Sequence, residues 1–303
     1  MAPSVVDHSY AFCTKMARAA GSSFYPCFRL LPRAKRQGMI ALYAFMRQTD
    51  DLADDEMVEL ATRRRWLNAW EEALRRVLDD DPSAATLVRQ EQRPWVSILP
   101  AVADTVHRFE IPPEYLREVI DGVRRDLTPS TYQTFDELTE YCHLVASAVG
   151  LACIRIWGAD DYGQVFEPAR ACGVAFQMIN ILRDIGEDLD RDRIYLPLDD
   201  LQSVGYAIDE LKHRVVNDCF RQLIARQVDR VRAELQKARP LAAMLHPDGR
   251  LILGMMTDVY SRLFDRVEAS VDRLLFDRVR LGRFEKLGIA LRWSIPFLRP
   301  KNL

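Results

Sequence analysis

Apolar residues recur three and four positions apart along almost the whole chain, and no stretch shows sustained two-residue alternation around a hairpin turn. That period lines apolar side chains along one helix face. It predicts helices over residues 7–20, 33–55, 58–79, 95–109, 113–127, 135–157, 164–191, 207–239 and 249–277. Turn-forming segments punctuate them: DDDPS at 79–83, IPP at 111–113, LTPST at 127–131, WGADDYG at 157–163, YLP at 195–197 and HPDG at 246–249. Connectors are short, none is rich in Gly and Ser, and no repeat of fixed period is visible. The expected fold class is all-α, a helical bundle forming a single domain over residues 1–303.

Composition narrows this picture only modestly. Apolar residues make up 49% and charged residues 28%, an ordinary globular balance. A net charge of -2 argues against a nucleic-acid surface. The opening MAPSVVDHSY lacks the basic start and apolar run of a secretion signal, and no stretch reaches the roughly 20 apolar residues of a membrane span. Six scattered cysteines form no CxxC pair and have no His partner at zinc spacing. They read as small buried hydrophobes in a reducing cytoplasm.

Two predicted helices carry acids that a packed bundle needs a reason to keep. In YAFMRQTDDLADDE, residues 43–56, Tyr43, Arg47, Asp50 and Asp54 share one stripe, with Asp51 and Asp55 beside it. Carboxylates one turn apart repel when bare. Their spacing suits a hard cation, Mg²⁺ or Mn²⁺, that takes one or two carboxylates and completes its shell with water and phosphate oxygens. Arg47, one turn earlier, is placed to grip a phosphate with its planar fork. Alone, this motif reads equally well as a solvated acidic helix end.

A second cluster shifts the balance. In FQMINILRDIGEDLDRDRIYLP, residues 176–197, Gln177, Asn180, Asp184 and Asp188 form one stripe flanked by Arg183 and Glu187. Met178, Ile181, Leu182 and Ile185 occupy the other faces, so this helix is expected to be buried nearly all round. Buried carboxylates are costly unless paired or metal-bound. Two such helices face to face would wall a cavity with acids, ready for Mg²⁺ ions and a diphosphate. Residues 141–158 add small side chains (Val145, Ala146, Ala148, Val149, Gly150, Ala152), which leave room for an apolar guest or for close helix packing. Ser22 and Ser23 offer hydroxyls to a phosphate, or cap a helix.

GSSFY at 21–25, ALYAFMRQTDDLADD at 41–55, YCHLVASAVG at 141–150 and NILRDIGEDLDRDRIYLP at 180–197, in that order, resemble the squalene/phytoene synthase family. VYSRLFDRVEAS at 259–270, containing Tyr260, resembles its late helix. The resemblance implies an all-α isoprenoid synthase fold with a central cavity, and head-to-head condensation of two isoprenyl diphosphates. It implies metal binding at Asp50, Asp54, Asp184 and Asp188, with Glu187 beside them. Diphosphate contacts are implied at Ser23, Tyr43, Arg47, Gln177, Asn180 and Arg183, and a reaction zone at Tyr141, Tyr195 and Tyr260. Ser22 stands where the family carries a basic or polar residue. Asp51, Asp55 and Glu56 are left to supporting or solvated roles. The expected chemistry is metal-assisted ionisation of an allylic diphosphate in a dry pocket, helped by Arg47 and Arg183.

Phe28, five residues after Ser23, is expected at the floor of the tail pocket, where its ring favours farnesyl over geranylgeranyl diphosphate; mid-sized Ile40 gives no vote. DRVRLGRFEKL at 277–287 looks closer to bacterial squalene or presqualene diphosphate synthases. The expected product is therefore presqualene diphosphate and then squalene; NADPH is a candidate hydride donor for a reductive second step, with no GxGxxG loop to mark a site for it. Phytoene synthesis from geranylgeranyl diphosphate is the alternative. A head-to-tail elongase or terpene cyclase would carry a different second motif, and a non-catalytic helical binding protein would keep its acids merely solvated. The C-terminal LGIALRWSIPFLRPKNL either lies on a membrane's inner face through an interfacial Trp293, or packs as a last helix with Arg292, Arg299 and Lys301 exposed.

Overall fold

The computed structural model describes residues 4–20, 25–55, 57–79, 81, 97–128 and 131–295. Among them are α1 (Val5–Ala19), α2 (Tyr25–Phe28), α3 (Arg33–Ala53), α4 (Leu60–Leu78), α5 (Leu99–Arg108) and α6 (Pro113–Arg125). Then come α7 (Phe135–Cys142), a π-helical turn (His143–Ser147), α8 (Ala148–Trp157), α9 (Tyr162–Leu189), α10 (Leu198–Ser203) and α11 (Ile208–Lys212). The chain continues through α12 (Asp218–Ala238), α13 (Leu241–Met244), α14 (Pro247–Ala269), a 3₁₀ turn (Val271–Arg273) and α15 (Arg283–Ser294). No strand occurs among the described residues, so the fold is all-α. Two compact units emerge, residues 1–127 with 151–160 and 245–252, and residues 128–150 with 161–244 and 253–303.

In the first unit α3 is central, packed on α1, α4, α5 and α6. Its apolar stripe buries Phe45 against Trp70, ring centres 5.4 Å apart. Trp70 Nε1 donates to Thr49 Oγ1 at 2.9 Å, and Thr49 donates to the Phe45 carbonyl at 2.8 Å. Burying each such ring contributes about 1.5–3 kcal/mol. At Gly38 a Cβ would lie 2.8 Å from the Phe109 ring, so that ring rests directly on the α3 backbone. The helix ends at Ala53 with Asp54 as its C-cap, two residues short of the predicted end.

In the second unit the 28-residue α9 is the central element, packed on α12, the π turn, α7 and α13. Met178, Ile181, Leu182 and Ile185 are buried, as the all-round apolar pattern requires. Three predicted helices are broken. The 135–157 helix widens into the π turn where α9 presses in: a Cβ on Gly173 would lie 2.5 Å from Ser147 Cα, and Ser147 Oγ donates to the Arg170 carbonyl at 2.8 Å. The 207–239 helix breaks at Arg214, whose φ is 57°, and restarts where Asn217 accepts from Phe220 N at 2.9 Å. The 249–277 helix stops at Ala269. Periodicity passes through all three sites because it registers neither the close approach at Gly173 nor the cap at Asn217.

Two further packing features matter for the site. Asp200 is buried and receives Gln227 Nε2 at 2.8 Å and Arg230 Nη2 at 2.8 Å, while Arg230 lies 4.1 Å over the Phe135 ring. This network ties α10 to α12 just after the RIYLP segment. In α15, Trp293 is buried and its Nε1 donates to Asp258 at 3.1 Å, in keeping with the packed last helix rather than an interfacial Trp293. Phe284 and Leu291 on the same helix are exposed. Arg299 and Lys301 lie outside the described residues.

Candidate active site

On the first acidic motif, the helical period of α3 brings Tyr43, Arg47 and Asp50 to one stripe, and the C-cap holds Asp54 one turn on, its N–H donating to the Asp50 carbonyl at 3.0 Å. Arg47 pairs with Asp51 at 2.6 Å. Among the described residues neither Asp50 nor Asp54 has an ion-pair partner. Asp50 reaches solvent, but protein crowded around it, with Asp54 close by, pushes its carboxyl up to about 7 against the pull of Arg47. Phe28 is buried with its ring edge-on to Tyr43, centres 6.4 Å apart, and Ile40 is buried one turn before Tyr43. Ser22, Ser23 and Glu56 lie outside the described residues.

The second motif is organised differently. Asp184 is gripped by Arg183 Nε at 2.8 Å and by Arg278 Nε at 2.8 Å. Arg278 also reaches Glu187 at 2.8 Å, and Arg280 lies 3.4 Å from the same carboxylate. A cleft of about 390 Å³ opens beside these groups, lined also by Arg214 and Phe276. Arg214 holds it in shape by donating to the Leu275 carbonyl at 2.6 Å and the Gly186 carbonyl at 3.2 Å. Gly186 is required there, since a Cβ would meet Leu275 O at 2.8 Å. Asp188 lies on the opposite edge of the helix from this cleft, beside Ile185, Arg193 and Tyr195.

One turn before Asp184, Asn180 Nδ2 donates to Gln177 Oε1 at 3.2 Å and to Tyr260 Oη at 3.4 Å. The Tyr260 ring stacks on Phe176 with centres 3.9 Å apart. Burial pushes the Tyr260 hydroxyl up against the opposing effects of Asn180 and Arg183, so it stays neutral near pH 7. Tyr141 and Tyr195, 54 residues apart in sequence, stack at 5.3 Å with their hydroxyls 3.5 Å apart. The predicted site residues thus gather into one set on α3 and, in the second unit, into an Arg–carboxylate cluster, an amide–tyrosine pair and a tyrosine stack.

Whether these groups suit a divalent cation can be read from their donors. No group of three His, Cys, Asp or Glu side chains able to hold an ion occurs among the described residues. Mg²⁺ takes one or two carboxylates and leaves its other positions to water and phosphate oxygens. Asp50 and Asp54 supply hard oxygens without a competing cation, and Asn180 Oδ1 is buried with no hydrogen-bond partner one turn from Asp184. The donor set fits.

Arg214, Arg278 and Arg280 were not singled out by sequence reasoning. A signal was present for the last two: in an extended segment, arginines two apart point to the same side. Tyr132, against both Tyr141 and Tyr195, was also passed over because it precedes α7 in a loop.

Fold and comparisons converge on a class, the helical isoprenoid synthases. The squalene/phytoene synthase family profile matches residues 17–285, and the chain belongs to that family. Its members are prenyltransferases, and so is this enzyme. It is 33% identical to a phytoene synthase of Arthrospira platensis over 94% of this chain and 92% of that one. It is 34% identical to a 15-cis-phytoene synthase of Synechocystis over 88% and 78% of the two chains. Among solved structures, a dehydrosqualene synthase in complex with ligand superposes with a TM-score of 0.80, at 24% identity over 95% and 96%. Squalene synthase HpnC of Alicyclobacillus acidocaldarius superposes at 0.76, with 27% identity over 89% and 96%.

Proposed function

We propose that the enzyme joins two molecules of farnesyl diphosphate head to head, giving presqualene diphosphate and, by loss of its remaining diphosphate and gain of a hydride from NADPH, squalene. Breaking the C1–O bond of one substrate releases diphosphate and leaves an allylic cation. The double bond of the second substrate bonds to that C1, and loss of a proton closes a cyclopropane that keeps the second diphosphate. Asp50 and Asp54 on α3 would hold Mg²⁺, as would Asp184, Glu187 and Asp188 with Asn180 on α9, and the ions when bound would neutralise charge on the leaving group. Arg47 and Arg183, with Arg278, bind diphosphate oxygens through charge-assisted hydrogen bonds, and Tyr43 and Gln177 orient it. Tyr141, Tyr195 and Tyr260 face the cation with aromatic rings that do not hydrate it.

The observation that carries the shorter substrate is Phe28, a buried ring wedged against Tyr43 beside Ile40. If Tyr43 marks the diphosphate end, that ring limits the tail. A second reading is favoured by the relatives named phytoene synthases: the substrate would then be geranylgeranyl diphosphate. Incubation with Mg²⁺ and each diphosphate, with and without NADPH, followed by product identification, separates them. Farnesyl diphosphate is expected to give presqualene diphosphate, and squalene only when NADPH is added. Phe28→Ala is expected to admit the longer substrate. Phytoene from geranylgeranyl diphosphate with no product from farnesyl diphosphate would overturn this reading.

No helix among the described residues is long and apolar enough to cross a membrane. Exposed Phe284 and Leu291, seven residues apart on α15, support peripheral contact with a lipid surface. Vesicle flotation should fall when both are changed to Ser; unchanged flotation argues against this face.

A further inference from the structure

Tyr132 belongs to none of the motifs above, yet the second unit buries it against the tyrosine stack. Its ring centre lies 5.3 Å from that of Tyr141 and 5.9 Å from that of Tyr195, nearly parallel to the latter at 18°. Tyr141 and Tyr195 are themselves 5.3 Å apart at 26°, so each ring touches the other two.

The backbone holds this arrangement from outside. Thr131 pairs with Ile194 in an isolated parallel bridge. Leu198 N donates to the Tyr132 carbonyl at 2.9 Å, and Asp199 N donates to the Gln133 carbonyl at 3.1 Å. Residues 131–133 therefore run alongside 194–199, and the hydrogen bonds that fix Tyr132 also fix Tyr195. The chain reaches this pairing through Asp192, whose φ of 54° turns it back after α9. Buried Asp200 then anchors the far end to Gln227 and Arg230.

We propose that Tyr132 is a positioning residue for the condensation, keeping the rings of Tyr141 and Tyr195 in the orientation that shields the carbocation. This rests on the reading above that Tyr141 and Tyr195 face that cation. Attraction of a cation to an aromatic face falls away when the ring tilts or moves beyond about 6 Å from the charge. A stack with one ring removed lets its partners tilt and opens a path for water. Water attack on the cation forms a C–O bond and releases a proton, giving an allylic alcohol in place of the cyclopropane product.

The test uses the full-length enzyme with Mg²⁺ and its diphosphate substrate. Wild type, Tyr132→Phe, Tyr132→Leu and Tyr141→Leu are compared by kcat, KM and the ratio of allylic alcohol to condensed product. That ratio counts only turnovers by folded molecules, so it stays readable in a variant that is partly unfolded. Tyr132→Leu is expected to lose about tenfold or more in kcat and to raise the alcohol ratio, with KM within about twofold. Tyr132→Phe, which keeps the ring, is expected to restore both. A Tyr132→Leu enzyme with wild-type kcat and ratio, or a Tyr132→Phe enzyme no better than Tyr132→Leu, overturns the proposal. Impaired Tyr141→Leu beside normal Tyr132→Leu sinks this proposal alone, whereas unimpaired Tyr141→Leu removes the reading on which it rests.

Discussion

Asp50 is held in a state that costs the folded protein stability in the absence of metal, and replacing it by Asn should show how much. Its carboxyl ordinarily titrates at 3.8, but in the folded chain crowding and the neighbouring Asp54 push it up to about 7. The folded state therefore keeps the proton through a range in which the unfolded chain has lost it. Below pH 4 both states are protonated and nothing is lost. Between pH 4 and 7 the penalty grows, and above pH 7 it is complete. Felt in full, the difference corresponds to about 4 kcal/mol at 1.36 kcal/mol per pH unit. Asp50 is solvent-exposed, so screening reduces this to on the order of 1–2 kcal/mol. Asp50→Asn should then raise the melting temperature of the metal-free protein at pH 8 by about 2–4 °C, and by almost nothing at pH 4. Melting curves from pH 4 to 8 in a chelating buffer, repeated with Mg²⁺ and inorganic diphosphate, provide the assay. With both added, wild type should gain and Asp50→Asn should not. An equal shift at pH 4 and pH 8, or a lower melting temperature at pH 8, would refute the reasoning.

Two further substitutions test the packing that carries the site. Asp200→Ala leaves Arg230 without its buried partner and should destabilise the fold by about 3 kcal/mol, measured by urea unfolding. Gly173→Ala forces a methyl within 2.5 Å of Ser147 Cα, where backbone rather than a flexible side chain must give way. The expected loss is about 1–3 kcal/mol by the same measurement, whereas Gly150→Ala, with nothing within 4 Å, should be close to neutral.

Legibility followed the range of the interaction. The acids of α3 and α9 were readable because helical spacing alone assigns residues three and four apart to one face, and because two motifs with the same chemistry are hard to explain as solvated surface. The same period predicted the burial of Met178, Ile181, Leu182 and Ile185. It failed at the π turn, where Gly173 meets Ser147, at Arg214, whose side chain reaches the Leu275 and Gly186 carbonyls, and beyond Ala269. Trp293 looked interfacial in a mixed apolar and basic segment. Burial and a hydrogen bond to Asp258 favour the packed reading of the two that the segment allowed.

The amino-acid sequence by itself determined the helical class, the positions of both acidic stripes and, through its motifs, the family. Each of these depends on residues within about two turns of one another, or on order along the chain. The tertiary structure alone decided that Arg278 and Arg280 return to Asp184 and Glu187, and it added the burial that, with neighbouring Asp54, raises the Asp50 carboxyl. It likewise decided that Tyr132, Tyr141 and Tyr195 stack. The arginine pairs and the tyrosine stack join groups far apart along the chain, and the burial around Asp50 comes from packing, so no local period encodes any of them.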